Sequence, residues 1–323
     1  MAGPTLPEIE TAAASLRGAV IATPVLPLAS ARWDGILPDC ASVTLKLELF
    51  QQAGSFKARG VLLGIRQLSD AQRARGVVAA SGGNHALAVS WAAKAAGVDA
   101  LIAMPRATDP SRIAGCKALG ATVTLHDDMA AAFDAMNAAA DAGRALLHPF
   151  EAPHMTLGAA TCGFEYISQA PHVDTYVVPI GGGGLISGMA AAVKQMKPDA
   201  QVIGVEPYGA DSMFRSFVAG EPVRLEQVAT IADSLGSPLA MPYSYSVART
   251  HVDEIVRIED AQMLGAMDHF QNILRITAEP ACAASLAAIL GPLRDQLAGR
   301  HVGIIACGSN IGLDRYTRLM ANA

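Results

Sequence analysis

The chain has 323 residues, of which 51% are hydrophobic and 16% charged, and its formal net charge is −5. This composition excludes an intrinsically disordered chain, and the lack of a Lys/Arg run argues against nucleic acid as a partner. No apolar run approaches the ~18 residues of a membrane span, and the five scattered cysteines contain no CxxC pair. The acidic start MAGPTLPEIE lacks the apolar core of a signal peptide. We therefore expect a cytoplasmic protein with no membrane or nucleic-acid partner.

The first elements in chain order are a helix over residues 8–18 and a strand over residues 44–49. Leucines alternate with polar residues in the second segment, which predicts a half-buried strand. Gly54 and Ser55 then interrupt the pattern. The Ser55 hydroxyl is expected to cap the helix that follows.

Between Gly76 and Leu147, strand patterns alternate with helices predicted over 85–96, 111–119 and 129–142. This alternation predicts a small, doubly wound α/β unit. We expect it to form an inserted domain, residues 76–147, that closes on the carboxylate of a substrate.

The alternation resumes after Pro149, with helices predicted over 161–169, 185–196 and 260–276 and another after Pro280. Residues 207–250 contain four prolines and are predicted to be irregular. We expect residues 1–75 and 148–323 to form a larger domain with its own open sheet. The cleft between the two lobes is the expected ligand site.

Lys57 follows Phe56 at the predicted first turn of a helix. The positive end of the helix dipole disfavours an ammonium there, and burial against Phe56 lowers the pKa of an amine further. Such a lysine is a nucleophile that can form a Schiff base. The alternative is a surface lysine whose stem covers Phe56.

The turn Ser81-Gly82-Gly83-Asn84-His85 lies between a predicted strand and a predicted helix. Open α/β sheets bind ligands at the carboxyl ends of their strands. Glycines let the backbone approach a ligand, and free N–H groups suit an anion such as a carboxylate. A tight turn with an Asn cap is the structural alternative.

Four consecutive glycines, Gly181 to Gly184, separate the strand TYVVPI from a helix. They match neither the dinucleotide fingerprint GxGxxG nor a Walker loop. N–H groups at a helix N-terminus suit a single phosphate group. A flexible turn is the alternative, although each glycine costs conformational entropy on folding.

Two further positions are candidate site residues, and their sequence patterns are less specific than the glycine-rich turns. Cys307 comes directly after the last predicted strand, where it either faces a ligand or is buried in the core. Glu279 precedes Pro280 at a helix start, where a solvated carboxylate is the simplest interpretation.

A Schiff-base lysine, a site for one phosphate and a turn for a carboxylate together suit pyridoxal phosphate holding an amino acid. The segments TPVLPL, LELFQQAGSFKARG, SGGNHA, VPIGGGGLISG, EPACAA and CGSNIG occur in order along nearly the whole chain. In these segments the sequence resembles the serine/threonine dehydratase and serine racemase group of fold-type II pyridoxal-phosphate enzymes. The resemblance implies two doubly wound open-sheet lobes, as in the tryptophan synthase beta-like fold.

The resemblance also implies roles for individual residues. Lys57 matches the lysine that forms the Schiff base, and Phe56 the residue against the pyridine ring. Asn84 matches the asparagine that bonds the ring hydroxyl, and Glu279 an acidic residue near the cofactor. Cys307 takes the position, usually serine, that contacts the pyridine nitrogen. The remaining positions are those of the phosphate loop and of the turn that receives the substrate carboxylate: Gly181, Gly182, Gly183 and Gly184, and Ser81, Gly82, Asn84 and His85.

Two departures from the group bear on activity. Racemases of the group carry serine at the position of Gly82, so we expect no efficient racemisation. The divalent-cation site of some relatives matches Glu206 and Ala210, but Ser212 stands where a second acid is expected. The resemblance therefore makes a cation site doubtful.

The sequence predicts a pyridoxal-phosphate-dependent ammonia-lyase that converts L-serine, L-threonine or a related β-hydroxy-amino acid to a 2-oxo acid and ammonia. An amino-acid racemase with the same cofactor is one alternative. A catalytically silent protein that binds the cofactor or an amino acid is another. A homodimer is the expected assembly.

Overall fold

The computed structural model describes residues 2–321, whose strands form one six-stranded and one four-stranded sheet. The strands in chain order are β1 (Val25–Pro27), β2 (Ser42–Lys46), β3 (Val77–Ala80), β4 (Ala100–Pro105), β5 (Thr122–His126), β6 (Ala145–Leu146), β7 (Thr175–Pro179), β8 (Gln201–Pro207), β9 (Glu254–Ile258) and β10 (His301–Ile305).

The four-stranded sheet is parallel throughout, and the six-stranded sheet is parallel except at one edge. The six-stranded sheet has the order β1-β2-β10-β7-β8-β9, in which only β1 runs antiparallel to its neighbour β2. The four-stranded sheet has the order β5-β4-β3-β6 and is parallel throughout. The predicted α/β fold with two open-sheet lobes is confirmed. The exact domain boundaries, 76–147 within 1–75 plus 148–323, stay a proposal.

Helices cover both sheets, as expected for doubly wound lobes. They are α1 (Leu6–Leu16), α2 (Lys57–Arg66), α3 (Asp70–Arg75), α4 (Asn84–Ala96), α5 (Pro110–Ala118), α6 (Met129–Asp141), α7 (Pro153–Gln169), α8 (Gly184–Met196), α9 (Ser212–Ala219), α10 (Pro242–His251), α11 (Asp260–His269), α12 (Pro280–Leu290) and α13 (Leu313–Met320).

Two helix predictions and the prediction for residues 207–250 need correction. Residues 207–250 are not irregular throughout, because they contain α9 and most of α10, with Pro242 at the first turn of α10. A proline is well tolerated there, since its missing N–H has no intrahelical partner. Helix α7 begins at Pro153 rather than at residue 161. The α-helical part of the segment predicted over 260–276 ends at His269.

The strand predicted over residues 44–49 ends at Lys46, and its polar residues are not exposed. Lys46 and Glu48 both have 0% exposure. Lys46 pairs with Glu165 at 2.6 Å, and Arg59 reaches Glu48 at 2.7 Å and Glu165 at 3.0 Å. The half-buried prediction was wrong because the buried charges of Lys46 and Arg59 are matched by the buried Glu48 and the partly exposed Glu165, which makes their burial tolerable.

The helix that carries Lys57 lies very close to α7. A Cβ atom on Gly158 would lie 2.2 Å from the backbone nitrogen of Gly60. Any side chain at position 158 would therefore push α2 away from α7. This close approach fixes the position of the α2 N-terminus, where Lys57 begins the helix.

The Ser55 hydroxyl does not cap α2, contrary to the sequence prediction. The residue at the N-cap position is Phe56, and no side chain caps this helix. Within residues 2–321 the buried Ser55 Oγ has no hydrogen-bond partner. The backbone of Ser55 instead forms a β-bridge with Gly308, which brings the start of α2 to the end of β10.

Candidate active site

The carboxyl ends of strands from both sheets open on one cavity of about 800 Å³. A volume of this size is typical of small-molecule sites. Its lining includes the positions that the sequence singled out for the Schiff base, the cofactor ring, the phosphate and the substrate carboxylate: Phe56, Lys57, Ser81, Gly82, Asn84, His85, Gly181, Gly182, Gly183, Gly184 and Cys307. Glu279 is not part of this lining, but its carboxylate accepts hydrogen bonds from the lining residues Asn84 and Ser234.

Lys57 is the first residue of α2, as predicted, and it lines the cavity rather than the outer surface. Its Nζ atom donates a hydrogen bond of 2.5 Å to the Pro149 carbonyl and lies 5.1 Å from the centroid of the Phe56 ring. Burial lowers the pKa of the Lys57 amine to about 8. The lower pKa leaves more of the amine unprotonated near neutral pH, which a nucleophile or base requires.

The four-glycine loop connects β7 to the N-terminus of α8. Gly183, the N-cap residue, has φ +88°, a left-handed conformation that strains any residue with a Cβ atom. No side chain caps α8. The first N–H groups of a helix have no intrahelical acceptor, so they are available to an anion in the cavity.

The turn after β3 leads into α4, which also has no side-chain cap. The Gly83 N–H donates to the Ser81 hydroxyl at 3.1 Å. A Cβ atom on Gly82 would lie 2.7 Å from the Thr108 hydroxyl. The hydroxyl of Thr108 therefore lies where a side chain at position 82 would begin.

The His85 imidazole is buried within the lobe. Its Nε2 atom lies 2.8 Å from the Leu147 carbonyl oxygen. Burial holds the pKa of His85 well below its ordinary value, and the positive charge of Lys57 adds to the effect. Within residues 2–321 the buried Nδ1 atom has no partner. His85 therefore enters the site as a neutral imidazole.

Glu279 is not the solvated carboxylate that its helix-start position suggested. The side chain is 2% exposed, and one of its oxygens accepts hydrogen bonds from the Asn84 amide at 2.7 Å and the Ser234 hydroxyl at 2.9 Å. The other oxygen lies 3.3 Å from Nη2 of Arg112. Sequence reasoning missed Arg112, since nothing in the local pattern of α5 marks it as a partner of a residue 167 positions away.

Cys307 lies at the end of β10 and is buried. Its Sγ atom is 3.6 Å from the Ala281 carbonyl oxygen, and its own carbonyl accepts a 3.0 Å hydrogen bond from the Phe56 N–H. Burial raises the pKa of the Cys307 thiol, so this group is neutral. Both alternatives of the sequence analysis apply, because Cys307 is buried and also lines the cavity.

His148 is a second cavity residue that the sequence analysis missed. Its Nδ1 atom accepts the Glu151 N–H at 3.0 Å, and its ring meets that of Phe150 edge-on at 4.9 Å between centroids. Burial lowers the pKa of His148 to about 4. The local signal for it is the His148-Pro149 pair, a short distance before α7 begins at Pro153.

The resemblance raised a divalent-cation site at Glu206 and Ala210, and the surroundings of Glu206 bear on it. Both Glu206 oxygens accept backbone N–H groups, from residues 213 and 214, and burial raises the pKa of Glu206 to about 8. Neighbouring Asp211 already pairs with Arg215 at 2.7 Å and with Arg257 at 3.1 Å. No group of three or more His, Cys, Asp or Glu suited to a metal ion occurs in residues 2–321. The donor set therefore fits a divalent cation poorly.

The fold and the site together define an α/β protein whose cavity combines a lysine of lowered pKa with the uncapped N-termini of α4 and α8. The chain belongs to the family described as pyridoxal-phosphate dependent enzymes, whose model matches residues 16–308. None of the helices described within residues 2–321 has the length and apolar character needed to cross a membrane.

Similar proteins support the same assignment. The chain is 43% identical to phenylserine dehydratase of Ralstonia pickettii, over 86% of this chain and 85% of that protein. It is 37% identical to L-threonine ammonia-lyase of Thermotoga maritima, over 86% of this chain and 69% of that protein. The structure of maize serine racemase matches with a TM-score of 0.91 and 33% identity, covering 99% of each chain.

The residues present fit pyridoxal phosphate. The uncapped α8 N-terminus provides unpaired N–H groups for its phosphate, and Lys57 provides an amine of lowered pKa for its aldehyde. Phe56 and Cys307 are neutral groups beside Lys57 in the same cavity. The individual roles of these residues remain proposals.

Proposed function

We propose that this protein is a pyridoxal-phosphate-dependent ammonia-lyase that converts L-serine, L-threonine or a related β-hydroxy-amino acid to a 2-oxo acid and ammonia. One observation carries the proposal: Lys57, the N-terminus of α8 and the Ser81–His85 turn all open on the same cavity. The names of the relatives, which include a phenylserine dehydratase and a threonine ammonia-lyase, support the reaction class.

The chain's own residues account for binding and proton transfer. When bound, pyridoxal phosphate supplies an electron sink that acidifies the α-carbon of an attached amino acid. The first N–H groups of α8 hold a phosphate, and the Ser81–His85 turn holds the α-carboxylate. The Lys57 amine, with its pKa lowered to about 8, accepts the α-proton. Loss of that proton and of the β-hydroxyl as water leaves an unsaturated amino acid, which hydrolyses to the 2-oxo acid and ammonia.

The apolar part of the cavity lining indicates which substrate side chain the site prefers. Met129, Ala130 and Phe133 of α6 form an apolar wall of the cavity, and the rings of Phe133 and His148 lie 6.3 Å apart. An apolar wall favours a methyl or phenyl substituent on the β-carbon over the bare hydroxymethyl group of serine. We therefore propose L-threonine and threo-phenylserine as better substrates than L-serine.

The test is an absorbance spectrum of the purified protein before and after adding L-serine, L-threonine or phenylserine. A visible band that borohydride removes shows pyridoxal phosphate bound to a lysine, and Lys57→Ala must lack it. We expect the band to change with substrate while 2-oxo acid and ammonia accumulate. If no band forms even with added cofactor, the proposal is wrong.

Racemisation with the same cofactor is a second candidate, and one observation favours it. The Thr108 hydroxyl lines the cavity at the place where a side chain on Gly82 would start, so a proton donor is available although position 82 is glycine. Chiral analysis of recovered serine decides between the two reactions, and Thr108→Val must abolish any D-serine formed. A silent binding protein, the third candidate, would release no ammonia.

A further inference from the structure

Arg112 on α5 connects three parts of the site through one guanidinium group. Nη1 donates to the Gly82 carbonyl at 3.2 Å, Nε to the Asn310 carbonyl at 2.6 Å, and Nη2 lies 3.3 Å from the Glu279 carboxylate. The Arg112 side chain is 5% exposed. It thus extends from the lobe of the four-stranded sheet to residues that follow β10 and precede α12 in the other lobe.

The contact with Gly82 fixes the turn that faces the substrate. A peptide unit is planar, so the Gly82 carbonyl and the Gly83 N–H belong to one rigid group and point in opposite directions. Arg112 binds the carbonyl end of this group, and the Ser81 hydroxyl accepts its N–H at 3.1 Å. With both ends held, the orientation of the free N–H groups that follow is set.

The contact with Glu279 fixes the amide of Asn84. A carboxylate that is 2% exposed needs a compensating charge, and Arg112 is the cation that contacts it among residues 2–321. The same carboxylate accepts a hydrogen bond from the Asn84 side-chain amide at 2.7 Å, and Oδ1 of Asn84 accepts one from the Asn310 side-chain amide at 2.7 Å. Moving Glu279 would release Asn84 from one of its two firm partners.

We infer that Arg112 is a positioning residue of this site, which orients both the carboxylate-binding turn and, through Glu279, the Asn84 amide. The inference rests on the proposed function for its kinetic consequences only. Arginine suits this role because its fork donates in three directions at once, whereas a lysine ammonium is a compact point charge.

The experiment replaces Arg112 by lysine, which keeps the charge and loses the fork. The matched control is Arg144→Lys. Arg144 lies in the same lobe and also combines a carbonyl, Val77 at 3.2 Å, with a carboxylate, Asp99 at 2.6 Å. The contact between Arg144 and Val77 lies at the amino end of β3, whereas the cavity lies at the carboxyl end of this strand.

The first readout does not need activity. Hydrogen–deuterium exchange of the purified protein should rise in Arg112→Lys for two separate segments, residues 81–86 and residues 277–284, and the control should match the wild type in both. Faster exchange in neither segment, or equally in both variants, would overturn the inference. If Arg112→Lys does not fold, an Arg112→Gln/Glu279→Gln double variant, which removes both charges, takes its place in the same comparison with the wild type and the control.

The second readout is kinetic. Because the turn is proposed to bind the α-carboxylate, we expect Arg112→Lys to raise KM for the amino acid roughly tenfold to a hundredfold and to change kcat far less. An unchanged KM would refute the positioning role. A wild-type protein that takes up no pyridoxal phosphate would refute the proposed function instead, while the exchange experiment would still test Arg112.

Discussion

The lowered pKa of Lys57 makes a quantitative prediction for the cofactor-free protein. Only an unprotonated amine attacks an aldehyde, and burial lowers the pKa of this amine from 10.5 to about 8. At pH 7 roughly 10% of the amine is then free, compared with about 0.03% for an ordinary lysine, a gain of about 300-fold. Uptake of pyridoxal phosphate should therefore be fast at neutral pH.

Stopped-flow absorbance measures this uptake as a function of pH. We expect the rate to rise about tenfold from pH 6 to pH 7 and to level off above pH 8, because the amine is then largely unprotonated. Lys57→Ala is the control and should form no lysine-bound pyridoxal at any pH. A rate that continues to rise tenfold per pH unit up to pH 10 would show that the Lys57 amine is not desolvated.

Three further predictions test other parts of the structure. Gly183→Ala should lower the free energy of unfolding by about 1–3 kcal/mol, because alanine is strained at φ +88°; unchanged urea denaturation would contradict this. His148 and His154, whose pKa values burial lowers to about 4, bind protons more readily when unfolded. Stability should therefore fall between pH 6.5 and pH 4, by about 2 kcal/mol per histidine at pH 5, and His154→Asn should reduce that slope in chemical denaturation. A chelator should leave the melting temperature unchanged, whereas Arg257→Gln should lower it because Asp211 loses a partner.

The elements that could be predicted from sequence are those with a local cause. Lys57 at a helix start and Gly181 to Gly184 between a strand and a helix are each explained by a few adjacent residues. Open α/β sheets bind ligands at the carboxyl ends of their strands, and the motifs at those ends line one cavity.

The errors involve residues whose environment comes from distant parts of the chain. The alternation over residues 44–49 indicates exposed polar groups, and only the fold reveals that Glu165, more than a hundred positions away, neutralises Lys46. Glu279 is a similar case, because a carboxylate before Pro280 is ordinarily solvated and its burial depends on Arg112. Single-sequence patterns carry no information about such pairings.

The glycines of the loop between β7 and α8 are required by packing as well as by the proposed phosphate site. A Cβ atom on Gly181 would lie 2.6 Å from the Ser234 carbonyl oxygen, and one on Gly182 would lie 2.2 Å from the Phe150 ring. The protein's own packing thus requires glycine at both positions, whether or not a phosphate binds beside them. A substitution there would disrupt the fold and the phosphate site together. Other helices of the chain also lack a side-chain cap, so the evidence for an anion at α8 is that its N-terminus opens on the cavity beside Lys57.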